Sequence, residues 1–393
     1  LYYKLNLTSI YTYLDVRFGK TAYRTGASFF LLSKMLGAAA RLYLVCLILQ
    51  NYVFGSMGVP FEITAAGTVF LIWLYTFRGG IKSLVWTDAL QTLCLITALV
   101  LILYQLCRLN DFTVTEAIRH VTESPYGRWI EWDDWTSRQH FVKQFFSGVF
   151  IVIVMTGLDQ DMMQKNLTCK NLRDAQKDMC SYGFSFIPLN MLFLGMGILL
   201  LALASREGIA LPVKGDDILP LFCAEGYLGN EVLVLFTIGI IAAAFSSADS
   251  ALTALTTSFC VDILDVERRF ARPEAVRKRV HGVIALLFVG FILCFEAVND
   301  SSVIDAIYVV ASYTYGPLLG LFAFGMFTRR KPWPAAVPWI CVTAPVCCYL
   351  LDVWTASVYG YRFGYELLML NGLFTFVGLY AFSKAYSPGM DKR

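Results

Sequence analysis

Residues 230–260 read NEVLVLFTIGIIAAAFSSADSALTALTTSFC, and two features of this stretch decide the fold. It stays apolar for longer than the about 20 residues that carry a helix across a bilayer. Inside it stands one carboxylate, Asp249, among hydroxyls. At 3.6 residues per turn Ser246, Asp249, Ser250, Thr253 and Thr257 fall on one helix face. The neighbouring Ala242, Ala243 and Ala244 let another helix approach closely. An ionisable residue within a span is costly unless it lines a cavity or finds a partner, so Asp249 marks a site. Hydroxyls and a carboxylate, with no nitrogen or sulfur donor, offer hard oxygen ligands suited to an alkali cation rather than a transition metal. The hydroxyls alone would suit a helix–helix seam equally well, with Ser and Thr bonding backbone carbonyls. Asp249 tips the reading toward a cation.

The remainder of the 393 residues has the same character. Hydrophobic residues make up 57%, charged residues only 16%, and the mean hydropathy is +0.60. Soluble domains carry about 25% charged residues, and a soluble chain of this composition would expose too much apolar surface. Disorder is excluded by the hydrophobicity. The net charge of +3 points to no nucleic-acid partner. The 11 Cys are scattered through apolar runs without a C-x-x-C pair, which is neither a disulfide framework nor a zinc site. The expected architecture is therefore all-α, a polytopic helix bundle with the lipid bilayer as its surroundings. The chain opens on Leu1-Tyr2-Tyr3-Lys4 rather than Met, so it reads as a segment whose natural start lies upstream.

Ten apolar stretches are expected to span: 25–53, 60–77, 83–107, 141–163, 179–204, 230–260, 280–298, 302–327, 333–356 and 364–383. The loops between them alternate in Lys and Arg content, which sets orientation. The segments 1–24, 78–82, 165–177, 265–279, 329–331 and the tail from 384 carry 22 basic residues. The segments 54–59, 108–140, 205–229, 299–301 and 357–363 carry 7. This alternation predicts a multi-pass protein of the cell (inner) membrane with its basic loops and C-terminus in the cytoplasm. Trp129, Trp132 and Trp135 in the longest outer loop fit an interfacial amphipathic element or a packed cap.

Three further ionisable groups fall within or at the ends of spans. Arg41 sits mid-span behind Gly37 and three alanines. Asp88 follows Gly79-Gly80-Ile81-Lys82-Ser83-Leu84-Val85-Trp86-Thr87, where Lys82 or Arg78 would be its simplest partner. Asp159-Gln160-Asp161 closes the span 141–163. Asp88 with Asp249 makes a cation site shared by two helices plausible. No phosphate loop, H-E-x-x-H or nucleophile-plus-base arrangement occurs, so the chain does not read as an enzyme.

At these residues the chain resembles the sodium:solute symporter family, which has the LeuT-type inverted-repeat fold. Residues 11–19, YTYLDVRFG, look like the family's Y-x-Y-L-x-x-R-F-G loop. Residues 79–91, GGIKSLVWTDALQ, match G-G-x-x-x-V-x-W-T-D-x-x-Q nearly throughout. Residues 242–252 match A-A-x-x-S-T/S-A-D-S-x-L. The resemblance covers essentially the whole chain as one membrane transporter domain. It implies core helices three to five over 25–107, core helices six to ten over 141–327, and two C-terminal helices over 333–383. The first core helices then fall outside this sequence.

By resemblance, Ala243, Ser246 and Ser247 contribute to the main sodium site. Asp88, Ser246, Asp249 and Ser250 fall where some branches bind a second sodium, with Asp249 replacing a hydroxyl found in one of them. In sugar-transporting members an aromatic gate stands where this chain has Met155 and Thr156, and Tyr308 stands where they present Gln. Sugar is thereby weakened as substrate. In the sialic-acid branch an arginine on the third core helix pairs with the substrate carboxylate, and Arg41, 47 residues before Asp88, stands at a matching place. A guanidinium forms two parallel hydrogen bonds to a carboxylate, as an ammonium does not. The alternative is a structural Arg41 bonded to carbonyls or an acid. The resemblance thus implies a secondary transporter importing a small organic solute with co-transported Na+, such as a carboxylate of the sialic-acid kind. A symporter for neutral sugar or amino acid, and a membrane sensor built on a transporter fold, are the competing readings.

Overall fold

The structure is a computed structural model and describes residues 2–5, 9–76, 81–128, 130–213, 215–298 and 303–385. Arg78, the Gly79-Gly80 turn, Trp129, the loop 299–301 and the Lys82 side chain lie outside the described residues.

Among the described residues six helices are long and apolar enough to cross a membrane: Lys20–Leu49, Asp88–Leu109, Leu172–Glu207, Asn230–Ile263, Pro273–Ala297 and Ala336–Tyr359. Phe61–Leu74 and Leu367–Ala381 are shorter apolar helices. Each of the ten expected stretches coincides with one of these or with one of two bent pairs. The bent pairs depart from the straight spans expected. Phe141–Gly157 and Gln160–Leu167 meet at 63°, and Ile307–Thr314 and Gly316–Phe327 at 42°. The first break follows a π-helical turn, Ile153–Gly157, and ends where Asp159 takes an extended conformation to cap the next helix. The second has Pro317 at the start of its second half, where the missing N–H costs nothing. Some helices also begin earlier than their apolar runs. Leu172–Glu207 extends into the polar flank because the Asn171 side chain accepts from Asp174 N at 2.9 Å.

Lys20–Leu49 is the central element, packed against Asn230–Ser258, Val303–Thr314, Pro273–Val298 and the short helix Thr12–Phe18. The chain enters it through Gly19, whose φ of 93° suits only glycine comfortably. Asn230–Ser258 packs most extensively on Ile81–Leu109. Gly316–Phe327 lies so close to Leu367–Ala381 that a Cβ on Gly320 would meet Thr375 at 2.5 Å, the small-residue contact that suits helices in lipid. Leu90, Leu93, Phe184 and Leu194 are exposed, an apolar exterior fit for acyl chains. A two-stranded antiparallel ribbon, Arg330–Pro332 with Ser383–Ala385, joins the basic loop 329–331 to the end of the last helix.

The loop 108–140 contains a helix and a cluster of aromatic residues. Val114–Glu123 is an amphipathic helix started by a capping box between Thr113 and Glu116. Those hydrogen bonds from Thr113 hold the Glu116 carboxyl below its ordinary pKa. Trp132 and Trp135 pack edge-on against His140 while keeping more than half their surface exposed.

Candidate functional site

The helix Asn230–Ser258 turns its hydroxyl face toward Asp88 on Ile81–Leu109 and toward the second half of the first bent pair. Ser246 Oγ donates to Asp88 Oδ1. Ser250 Oγ accepts from Lys165 Nζ at 2.9 Å, and the same ammonium lies 3.4 Å from Asp88 Oδ2. Asp249, fully buried on the same turn, meets no residue of another helix in a hydrogen bond among the described residues. Four of the six predicted cation ligands, Asp88, Ser246, Asp249 and Ser250, are therefore together. Ala243 and Ser247 occupy an adjoining stripe of the helix, half-buried and exposed respectively, and make no side-chain contact with this cluster. The donor set is oxygen alone. Among the described residues no three of His, Cys, Asp and Glu cluster as a transition-metal site would require.

A second polar node sits at the first break. Asp159, 3% exposed, accepts from its own helix at Asp161 N (2.9 Å) and Met162 N (3.3 Å). Lys34 Nζ lies 3.2 Å from Asp159 and 2.9 Å from Asp161. Tyr315, at the second break, donates to Asp159 Oδ2 at 3.0 Å. The exposed backbone of the break is held from the N-terminal loop: Tyr2 OH donates to Gly157 O at 2.7 Å and Tyr11 OH to Leu158 O at 2.9 Å. Ile10 N donates to Gln160 Oε1 at 2.9 Å. Such carbonyls would otherwise lack partners away from water; from the 11–19 segment it is Tyr11 that supplies one of these bonds. Lys34 went unnoticed in the sequence, although the rule that singled out Arg41 applies to it equally. Lys165 was read as an orientation charge.

Arg41 lies seven residues beyond Lys34 on the same face of Lys20–Leu49, about 10 Å along the axis. It is exposed and forms no hydrogen bond or ion pair with any described residue, yet is near enough to interact electrostatically with Lys34 and Tyr315. Met155 and Thr156 lie in the π-helical turn before Asp159, both half-buried, with Met155 against the central core. The Tyr308 ring packs on Tyr365 at 5.0 Å and its carbonyl accepts from Ser312 Oγ at 2.8 Å. Met155 and Thr156 thus lie on the first bent pair and Tyr308 on the second, whose half Val303–Thr314 packs on the helix that carries Arg41.

Comparison with known proteins finds relatives of one kind. The sodium/sialic acid symporter NanT of Aliivibrio fischeri is 26% identical over 343 residues, covering 83% of this chain and 65% of its own length. The sodium/sialic acid symporter SiaT of Proteus mirabilis is 26% identical over 353 residues, covering 86% and 69%. This chain therefore spans about two thirds of the length of these relatives. A solved substrate-bound, outward-open Na+-coupled sialic acid symporter superposes with a TM-score of 0.76 at 21% identity, over 98% of this chain and 80% of that one. That superposition establishes the shared fold. The family model described as "Sodium:solute symporter family" matches residues 1–336, and the chain belongs to that family.

Proposed function

We propose that the protein is a sodium-coupled symporter that imports a small organic anion, a carboxylate of the sialic-acid class. The observation that carries the substrate reading is Arg41, a guanidinium beside two helix breaks with no acid or carbonyl among the described residues to satisfy it. A structural arginine within a span would be bonded. A substrate carboxylate supplies the absent partner, in the fork geometry that guanidinium prefers. The names of the relatives, sodium/sialic acid symporters, agree with this chemistry. Met155 and Thr156 then face the solute from the π-helical turn, and Tyr308 with Tyr365 contributes to its entrance.

For the cation, we assign Ala243, Ser246 and Ser247 to the main sodium site, and Asp88, Ser246, Asp249 and Ser250 to a second cation position. Residues 25–107 serve as core helices three to five, 141–327 as six to ten, and 333–383 as two C-terminal helices. Midplane sites at interrupted helices are the usual arrangement in inverted-repeat transporters. The Lys/Arg asymmetry supports a cytoplasmic C-terminus in the inner membrane.

The test is uptake by the protein in proteoliposomes, comparing a sialic acid with its methyl ester at equal concentration, with and without a sodium gradient. Wild type should take up the acid strongly and only with sodium, and Arg41→Lys should weaken it markedly, since a point charge cannot reproduce two parallel hydrogen bonds. Equal uptake of acid and ester would make the solute neutral and Arg41 structural. Uptake indifferent to sodium would remove the coupling.

A further inference from the structure

The second cation position already holds a positive charge, and that charge belongs to the protein. Lys165 Nζ donates to Ser250 Oγ at 2.9 Å and reaches Asp88 Oδ2 at 3.4 Å, two of the oxygens assigned above to a second cation. The other oxygen of Asp88 accepts from Ser246, so the carboxylate is occupied on both sides. Asp249 lies on the turn between Ser246 and Ser250, wholly buried and near enough to interact electrostatically with both Asp88 and Lys165. A charged carboxylate buried within a span is stabilised by a positive charge nearby, and the Lys165 ammonium supplies one.

The placement of Lys165 is built rather than incidental. It projects from Gln160–Leu167, a helix whose first turn is capped by Asp159, which Lys34 and Tyr315 hold in turn. That helix packs directly on Asn230–Ser258. An ammonium is a compact point charge with three donors on a flexible stem, able to take the place of a bound alkali ion among oxygens. A free sodium entering the same oxygens would lie beside the ammonium, and like charges at contact distance disfavour one another.

We propose that the Lys165 ammonium is a tethered cation filling the second cation position, so that one free sodium, held at Ala243, Ser246 and Ser247, accompanies each transport cycle. This rests on the sodium-symport reading above, and the experiment separates the two. Equilibrium binding of radioactive sodium to the purified protein should give one ion per chain for wild type and two for Lys165→Met. Ser247→Ala, which leaves Lys165 in place, should move the whole binding curve to higher sodium as a single phase. Two ions on wild type, a Lys165→Met variant that stays at one, or a tight sodium surviving in Ser247→Ala would each overturn the tethered cation. A wild type that binds no sodium would overturn the symport reading. In that case a sodium gained by Lys165→Met still supports the ammonium's role, and none gained ends it.

Discussion

Tyr315 donates its hydroxyl hydrogen to Asp159 Oδ2 at 3.0 Å, and through this bond the two broken helices are joined at their breaks. Asp159 caps the second half of one bent pair, and Tyr315 is the hinge residue of the other. Lys34 completes the join from the central helix Lys20–Leu49. Three elements thus meet at one buried carboxylate. Arg41 lies about two helical turns beyond Lys34 on the central helix.

The first prediction concerns the strength of that join. Removing one partner of a buried ion pair costs about 3–5 kcal/mol, because the other charge is left unpaired. Lys34→Met, which strands both Asp159 and Asp161, should therefore lower the thermal unfolding midpoint in detergent severely. Tyr315→Phe removes only a neutral donor to a charged acceptor and should cost roughly 1.5–3 kcal/mol. If Lys34→Met unfolds at the wild-type temperature, the node carries no structural weight.

The ten apolar stretches read from the sequence each coincide with a helix or a bent pair, because a bilayer demands about 20 apolar residues per crossing. Among the described residues six of those helices, or eight counting each bent pair as one, are long and apolar enough to cross. The breaks were not located. Leu158 is as apolar as the rest of its span, so only Gly157 and the capping Asp159 signal the first break, whereas the second is marked by the more polar run Ser312-Tyr313-Thr314-Tyr315-Gly316-Pro317. Within the cation cluster, Ser246, Asp249 and Ser250 could be grouped by helical period. Asp88 stood out as a charge within a span. Lys165 could not be joined to them, because its pairing with Asp88 crosses 77 positions and depends on a 63° bend. A loop lysine and a site lysine look alike until the helix carrying it is folded back.

Orientation gives a second prediction. On a background with the 11 native cysteines replaced, single cysteines placed in 108–140 should react with an impermeant thiol reagent in intact cells. Those in 165–177 or 265–279 should react only after permeabilisation. The reverse pattern would invert the Lys/Arg reading and place Lys165 at the outer end of its helix.

A third prediction separates the two serines assigned to the main sodium site. Ser247→Ala removes one oxygen and nothing else, since Ser247 makes no side-chain contact with the Asp88 cluster. Ser246→Ala also strips Asp88 of its donated hydrogen bond, and a bond to a charged group is worth about 1.5–3 kcal/mol. Both variants should raise the sodium concentration for half-maximal uptake, Ser246→Ala the more, by about tenfold for each 1.4 kcal/mol. Unchanged sodium dependence in both would move the main site elsewhere.

The last prediction follows from charge. One sodium with one monovalent carboxylate moves no net charge, so the membrane potential should neither drive nor oppose wild-type transport. Each net charge moved through 100 mV is worth about 2.3 kcal/mol, or roughly 50-fold in the accumulation ratio at 1.4 kcal/mol per factor of ten. In proteoliposomes with a fixed sodium gradient, an inside-negative potassium diffusion potential should leave wild-type accumulation of the acid unchanged. Lys165→Met, with its second position open to sodium, should move one extra positive charge and gain up to that factor. A potential-driven wild type would mean either a second sodium or an uncharged solute. The comparison of acid with ester tells these apart, since an uncharged solute takes no benefit from Arg41 and a carboxylate does.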